Sequence, residues 1–397
     1  MITKRPNIKP LLRSNALQQI FYVLFLFLVA EGTLRLQQKL GPLSDLEFRH
    51  VSLEELSPTL NHVPPAKSED FILREEGKEI RFAYEYDKNG IRVDRLRPDY
   101  SHRKDAFKVL FMGDSFMQGN DLHHTIPQHI WDYFQQTPLA AKPLVFYNAG
   151  YSSYSPAIFV PQAKKLIPLL KPDFVVVDVD ETDLGDDFIR YKDLIVRDPG
   201  GSIAAVRPTP VNYENLAGYL RIRTNPSYLV RYFLKIYHRN IRMPALLREY
   251  RKKDHRDTLS ISADMAPDAA QKYSREIEFF EKDLDDLART LVRLTGGPQK
   301  ILFLYHPHLE HLKPDARGRT WNHFVSDGLA RVAVRYGIGF YNATGDLKEA
   351  FHGEPEKYYW KGDMHFNFTG LEIYAQGIAK KLLPVFEAKF NSSAPVS

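Results

Sequence analysis

Two short segments near opposite ends of the chain carry residues that could act together in acyl transfer. A Gly-Asp-Ser tripeptide ending at Ser115 follows a strand-like run at 108–112, and Asp363 and His365 lie two residues apart much later in the chain. A serine, a histidine that removes its proton and a carboxylate that orients the histidine are the groups needed for nucleophilic catalysis. The sequence therefore predicts Ser115, Asp363 and His365 as a catalytic set.

The elements that must position these residues alternate between strand and helix. The predicted strands are 108–112, 144–147, 174–179, 300–305 and 338–341, and the predicted helices are 126–134, 156–170, 271–294, 324–336 and 371–386. This order favours one parallel sheet that is covered by helices on both faces.

Several loops that follow these strands carry candidates for the same site. Ser115 follows the first strand, Gly150 the second and Asp183 the third, whereas Asp363 and His365 follow the fifth. Because sites in such sheets form beyond the carboxyl ends of the strands, we expect these residues to converge on one edge. The backbone N–H groups of Ser115 and Gly150 are candidate donors to the oxyanion of an acyl-transfer intermediate.

The sequence around Ser115 lacks the second glycine of the G-x-S-x-G nucleophile elbow. It resembles instead the SGNH (GDSL-type) hydrolases. Residues 113–116 are similar to the first conserved block of that family, Gly150 is similar to the glycine of the second block, and residues 363–370 are similar to the last block. The resemblance extends from about Asn89 to the C-terminus. It implies a flavodoxin-like three-layer α/β/α fold with a parallel five-stranded sheet. It also implies esterase, lipase or carbohydrate acyl-ester chemistry without a cofactor.

The chain departs from that family pattern in two places. Asp363 and His365 are separated by one residue rather than two, a spacing similar to that of members that acetylate exported polysaccharides. Thr182 stands where the family usually has an asparagine that donates to the oxyanion. A threonine hydroxyl can donate a hydrogen bond with shorter reach, so Thr182 is a candidate for that role.

Further candidates for substrate or oxyanion contacts flank these segments. Asp114 precedes the predicted nucleophile, Asp183 belongs to a group of nearby carboxylates after the third strand, and His306 follows the fourth strand. The histidines at 306–311 have no matching motif such as H-E-x-x-H, so the sequence does not favour a metal site. The chain has no cysteine, which excludes disulfides and thiolate ligands.

The N-terminal segment indicates a membrane location. Four basic residues in the first 13 positions precede an uncharged stretch from Ser14 to Ala30, a pattern typical of a secretory signal or signal anchor. We expect residues 1–36 to form the basic leader and an uncleaved single-pass anchor in the cytoplasmic membrane, with the rest on the periplasmic side. A signal that is cleaved after Gly32 is the alternative.

The remaining chain is expected to have three parts. Residues 37–100 form a stalk and a β-hairpin that turns at 88–90, and residues 101–390 form the catalytic domain. Within that domain, residues 186–270 interrupt the strand–helix order and are expected to be an inserted helical cap. Its aromatic residues could pack on the domain, cover the substrate or contact a membrane surface. The basic run at 248–256 is expected to be a solvated face, and contact with anionic lipid or a glycan is the alternative.

These features predict a serine-dependent acyl-ester hydrolase that acts outside the membrane, with an O-acylated glycan as substrate. The alternatives are an O-acetyltransferase that works with polysaccharide-synthesis proteins, a catalytically weak glycan-binding protein and a lipase at the membrane surface. A net charge of +5 over 397 residues, without a nucleic-acid-binding motif, does not favour nucleic acid as a partner.

Overall fold

The chain forms two compact units, one of residues 1–51 with 210–253 and the other of residues 52–209 with 254–397. The computed structural model describes residues 9–40, 55–64, 67–75, 78–93, 105–119, 124–208, 217–218, 221–222, 225–242, 244–245 and 258–391. Residues 1–8 of the basic leader, residues 41–54 of the expected stalk and the basic run at 248–256 lie outside the described residues. All of the catalytic candidates belong to the larger unit.

The larger unit is built mainly from short strands and helices that alternate along the chain. Its strands are β1 (Glu55–Ser57), β2 (Asn61–Val63), β3 (Lys67–Glu75), β4 (Lys78–Glu85), β5 (Phe107–Met112), β6 (Leu144–Asn148), β7 (Phe174–Val179), β8 (Ile195–Arg197), β9 (Ile203–Val206), β10 (Ile301–Tyr305) and β11 (Gly339–Asn342). Helices α1 (Lys9–Leu40) and α6 (Tyr228–Tyr237) belong to the smaller unit. Those of the larger unit are α2 (Ser115–Gln118), α3 (Ile126–Phe134), α4 (Pro156–Leu170), α5 (Glu181–Gly185), α7 (Ala269–Lys272), α8 (Ser274–Thr295), α9 (Leu309–Leu312), α10 (Phe324–Tyr336), α11 (Thr344–Ala350) and α12 (Phe368–Asn391).

A five-stranded parallel sheet lies at the centre of the larger unit. Its strand order is β6-β5-β7-β10-β11, so the strands lie in the order 2-1-3-4-5 when they are counted along the chain. This is the flavodoxin-like order. Val177 of β7 pairs with Met112 of β5 on one side and with Phe303 of β10 on the other, which places the nucleophile-bearing strand next to the sheet centre.

Helices cover both faces of this sheet. Side chains of β5 alternate between the faces, so that Leu110 and Met112 pack with α4, α8 and α10, whereas Val109 and Phe111 pack with α3 and α12. Both faces are apolar and fully buried, as a parallel sheet between two helical layers requires. The predicted three-layer α/β/α fold is confirmed.

The range 186–270 differs from the helical cap that the sequence predicts. β8 and β9 lie within it and pair in antiparallel fashion as part of the larger unit. Ile203 of β9 is fully buried, and its backbone N–H donates to Asp286 Oδ2 at 2.6 Å. This contact with a distant helix stabilises a strand that is too short to be recognised by its pattern. Likewise, the turn at 88–90 is present, but the longer antiparallel pairing joins β3 to β4.

The buried carboxyl group of Asp187 caps the start of α4 and lies close enough to Asp283 of α8 to feel its charge. Asp187 Oδ1 accepts hydrogen bonds from Ser155 Oγ at 2.5 Å and from the backbone N–H of Ala157 at 3.0 Å, which caps α4. Burial and the negative charge of Asp283 raise the pKa of Asp187. Burial also raises the pKa of Asp283 to about 6, although the hydrogen bond from Arg197 opposes this effect.

We predict that Asp187→Asn stabilises the protein at neutral pH. An amide keeps the accepting oxygen for Ser155 and Ala157 but removes a negative charge that repels Asp283. Because the pKa values of Asp187 and Asp283 are raised in the folded state, the contribution of these two groups to stability is fully present near pH 4 and is lost as the pH rises through the raised values. The gain in free energy of unfolding should therefore be small at pH 4 and clearly larger at pH 7.

Urea unfolding at both pH values measures this difference. Asp132→Asn, at an exposed position of α3, is the matched control and should show no gain that grows with pH. A destabilised Asp187→Asn protein at pH 7 would contradict the interpretation.

Candidate active site

The side chains of Ser115, His365 and Asp363 form a continuous hydrogen-bonded chain. Ser115 Oγ lies 2.7 Å from His365 Nε2, although the two residues are 250 positions apart. His365 Nδ1 lies 2.5 Å from Asp363 Oδ1. A neutral imidazole with its proton on Nδ1 donates to the carboxylate and accepts from the serine hydroxyl, which is the arrangement of a nucleophile, its base and the group that orients the base.

The turn between β5 and α2 holds Ser115 at the carboxyl edge of the sheet. Asp114 Oδ1 caps α2 by accepting from the backbone N–H of Phe116 at 2.9 Å, and Asp114 Oδ2 lies 3.3 Å from Ser115 Oγ. A Cβ on Gly113 would lie only 2.5 Å from Met117 Cβ, so this tight turn requires glycine. Since first-turn N–H groups have no acceptor within their own helix, the N–H of Ser115 is available to an oxyanion.

A compact turn before α12 presents Asp363 and His365. The backbone N–H of Trp360 donates to His365 O at 3.0 Å, and that of Asp363 donates to Trp360 O at 3.1 Å. Asp363 Oδ1 also accepts from the backbone N–H of His365 at 3.0 Å. Oδ1 of Asp363 therefore holds both the backbone and the ring of His365. This explains how the carboxylate can reach the ring although only one residue separates Asp363 from His365.

The environment of Asp363 keeps its carboxyl group ionised. Burial acts to raise the pKa of Asp363, but the hydrogen bond and charge of His365 outweigh it, so that the pKa is lowered. The side chains of Asp363 and His365 are 21% and 28% exposed. A carboxylate that is ionised throughout the neutral range can orient the ring and stabilise the imidazolium that forms in catalysis.

Gly150 and Thr182 lie at the same edge, with their donors engaged inside the protein. The N–H of Gly150 donates to Asn148 Oδ1 at 2.9 Å, and a Cβ there would lie 2.5 Å from the backbone N of Gln118. The hydroxyl of Thr182 donates to Asp180 Oδ1 at 2.5 Å. Neither donor points freely into the site in this conformation, and their roles in binding an oxyanion stay predictions.

His306 and Asp183 lie in a buried polar cluster behind the catalytic residues. The ring of Phe116 lies 4.0 Å from that of His306 and 4.7 Å from that of His365, so an aromatic ring lies beside both histidines. Asp183 Oδ2 accepts from the backbone N–H of Asp180 at 3.3 Å. Burial and the charge of Asp180 raise the pKa of Asp183. These two residues support the site from behind and are fully buried.

Asp178 and Phe116 connect this cluster to the site, and neither was among the site residues expected from the sequence. Asp178 Oδ1 lies 3.1 Å from His306 Nδ1 and also accepts from the hydroxyl of Tyr374 at 2.7 Å. A charged residue inside the apolar strand Phe174–Val179 is the signal that could have identified Asp178. Phe116 belongs to the block at 113–116, but nothing in that pattern indicates that its ring lies beside His306 and His365.

An open cavity of about 920 Å³ lies beside the catalytic turn. Its wall includes Asp363 and Met364 from that turn, and three large aromatic residues, Trp321, Tyr359 and Trp360. Charged side chains line the same wall, namely Glu310, Glu356, Lys357 and Lys361. A cleft with aromatic rings and a few polar groups is typical of a binding site for a small organic molecule.

No protein-family model and no curated protein matches this sequence. A solved structure of a catalytic mutant of Axe2, an acetylxylan esterase from Geobacillus stearothermophilus, is 12% identical with a TM-score of 0.41, and the alignment covers 70% of this chain and 94% of that one. A lipase/acylhydrolase from Enterococcus faecalis is 11% identical with a TM-score of 0.39, covering 70% and 95%. A two-domain esterase active on acetylated mannans is 14% identical with a TM-score of 0.39, covering 75% and 56%.

The observed fold agrees with the expectation that was drawn from the resemblance to SGNH hydrolases. The strand order of the central sheet is the flavodoxin-like order that this resemblance implies. The chemistry that the site can perform follows from the positions of Ser115, His365 and Asp363.

We predict that Gly150→Ala lowers both stability and activity. The added methyl group would meet the backbone of Met117 and Gln118 at 2.5–2.6 Å, so the helix that carries Ser115 must move. Displacements of about 1 Å at a nucleophile cost on the order of 100-fold in rate. Thermal unfolding and turnover of an aryl acetate ester measure the two effects.

The matched control is Gly345→Ala in α11, where a Cβ meets open space. This variant should keep its activity and remain as stable as the wild type or become slightly more stable. Wild-type behaviour of Gly150→Ala would show that the close contact does not hold the nucleophile in place.

Proposed function

We propose that this protein is a serine-dependent acyl-ester hydrolase. The observation that carries the proposal is the 2.7 Å contact between Ser115 Oγ and His365 Nε2, continued by the contact of His365 Nδ1 with Asp363. A base within hydrogen-bond reach of a hydroxyl is the geometric requirement for proton removal. The turn that presents Ser115 at the carboxyl edge of the sheet supports the same role.

The proposed reaction has two steps. His365 removes the proton of Ser115 as the oxygen attacks the ester carbonyl, and the imidazolium then gives this proton to the departing alcohol, which leaves an acyl-serine. Water next loses a proton to His365 and attacks the acyl group, so that the carboxylic acid departs and Ser115 regains its proton. The backbone N–H of Ser115 is the first candidate for stabilising the oxyanion in each step.

The proposed substrate is an O-acylated glycan. Support comes from the cavity beside Asp363, whose wall carries Trp321, Tyr359 and Trp360. The apolar C–H faces of a sugar ring can pack on aromatic rings, and the charged groups of the same wall can bind hydroxyls. Asp363 belongs to the same wall, so a sugar bound there would lie next to the catalytic turn.

We predict that Ser115→Ala lowers the turnover of p-nitrophenyl acetate by at least about 1,000-fold, because no other group in the proposed mechanism forms the acyl intermediate. Ser274→Ala, at an exposed position of α8, is the matched control and should be fully active. Unchanged turnover in Ser115→Ala would contradict the serine mechanism.

The same assay with acetylated oligosaccharides tests the substrate class. Release of free acetate supports hydrolysis, whereas acetyl groups that appear on an added glycan acceptor would assign the protein to acyl transfer. A protein that binds the glycan without either product would be a binding protein.

We further propose that the smaller unit attaches the protein to the cytoplasmic membrane, with the catalytic unit on the periplasmic side. Residues 16–36 of α1 are long and apolar enough to cross a membrane. A signal sequence can have the same length and composition. Large apolar side chains from Leu17 to Val29 are exposed, between 39% and 74%. Exposure of that extent suits contact with lipid rather than water.

Helix α6 is joined to the end of this apolar segment. Glu31 accepts hydrogen bonds from Ser227 Oγ at 2.8 Å and from the backbone N–H groups of Tyr228 and Leu229, each at 2.9 Å. Further along α6 and the turn that follows it, one stripe of large apolar residues is exposed, namely Tyr232, Phe233, Ile236, Tyr237 and Ile241. We propose that this stripe lies in the membrane interface, where amphipathic helices bury such residues.

The absence of cysteine allows a direct test with single labels. We predict that an environment-sensitive dye on Phe233→Cys is quenched by lipid-attached quenchers in phosphatidylcholine–phosphatidylglycerol vesicles. The same dye on Lys235→Cys, on the opposite side of α6, should be quenched several-fold less. Equal quenching at both positions, or none at either, would contradict membrane contact by this stripe.

A further inference from the structure

We propose that Asp180, His306 and His308 form a binding site for a divalent transition-metal ion of the zinc class. His308 Nε2 lies 2.8 Å and His306 Nε2 lies 3.8 Å from the same oxygen, Asp180 Oδ2. The three potential ligand atoms all lie within 4.8 Å of one another. The site is separate from Ser115, His365 and Asp363, and the proposal does not depend on the hydrolase function.

The carboxylate of Asp180 is oriented for such a role. Its Oδ1 accepts from the backbone N–H of Thr182 at 2.8 Å and from the hydroxyl of Thr182 at 2.5 Å, which caps α5. This capping uses one oxygen and directs the other, Oδ2, towards His306 and His308. The site therefore requires no rearrangement of the main chain at Asp180.

The ring of His306 is held from behind by a second carboxylate. His306 Nδ1 lies 3.1 Å from Asp178 Oδ1, and the hydroxyl of Tyr374 donates to the same oxygen at 2.7 Å. Histidines that bind metals usually donate their other N–H to a carboxylate, which fixes the tautomer and directs the free nitrogen at the ion. In this arrangement Nε2 of His306 is the free nitrogen.

That nitrogen has no hydrogen-bond partner among the described residues, although the His306 side chain is completely buried. A buried polar atom without a partner costs free energy, so its position facing Asp180 calls for an occupant. Three further buried acids lie close to these ligands, namely Asp114, Asp178 and Asp183. A bound cation would both supply the missing partner and offset their charge.

The chemistry of the ligands selects the kind of ion. Two imidazole nitrogens and one carboxylate oxygen suit Zn²⁺ and neighbouring transition metals, whereas Mg²⁺ and Ca²⁺ prefer oxygen ligands throughout. Tetrahedral ligands of zinc stand about 3.3 Å apart, so His306 would move towards Asp180 on binding and His308 slightly away. His308 also lines the cavity beside Asp363, so we propose this side as the entry route for the ion.

The test uses the untagged full chain, stripped with a chelator and dialysed against Zn²⁺. We expect about one zinc per chain by elemental analysis, a visible absorption band with Co²⁺, and no competition from Mg²⁺ or Ca²⁺. His308→Ala should weaken zinc binding by at least about 100-fold, and Asp178→Asn by about 10–100-fold. His352→Asn, at an exposed position with φ +50°, is the control and should bind zinc like the wild type.

Folded wild-type protein that takes up no zinc, or zinc uptake that is unchanged in His308→Ala, would overturn the proposal. If the variants unfold, the wild type alone decides, because a specific site must raise its melting temperature on addition of Zn²⁺. Ser115→Ala should bind zinc normally, so failure of the metal site and failure of the serine mechanism are distinguishable.

Discussion

The hydrogen bond between Ser115 and His365 is the constraint on which the architecture of the site depends. It joins the turn after β5 to the turn before α12, and it can form only if these two turns keep a fixed position relative to each other. The position of β5 next to the central strand, the glycine at 113 and the backbone hydrogen bonds around Asp363 all help to keep the two turns in place. A loss of any of these contacts would move one partner relative to the other.

Much of the fold follows from local patterns in the sequence. The helices at 126–134, 156–170 and 324–336 begin and end where their apolar periodicity predicts, and the strands differ by at most two residues at either end. Long apolar strands and amphipathic helices are specified locally, which is why these elements are predictable. The pairing of β8 with β9 is not predictable in this way, because the backbone of Ile203 is held by Asp286 of α8, about 80 positions later in the chain.

In the site, too, some features are predictable from the sequence and others are not. Ser115, Asp363 and His365 are recognisable from residue type and spacing, but the positions of the donors around them are not. The N–H of Gly150 and the hydroxyl of Thr182 are satisfied by Asn148 and Asp180, and only tertiary structure reveals such competition for a hydrogen bond. The buried acids and histidines behind Phe116 are likewise scattered along the sequence and meet only because the carboxyl ends of parallel strands converge.

The most direct measurement of the central claim is the location of a covalent adduct after treatment of the full chain with a fluorophosphonate. The account predicts a single phosphonylated residue, Ser115, identified by mass spectrometry of the digested protein. It also predicts that His365→Gln, which removes the base, slows adduct formation by orders of magnitude. Modification of a different residue, or equally fast modification of Ser115 without His365, would contradict it.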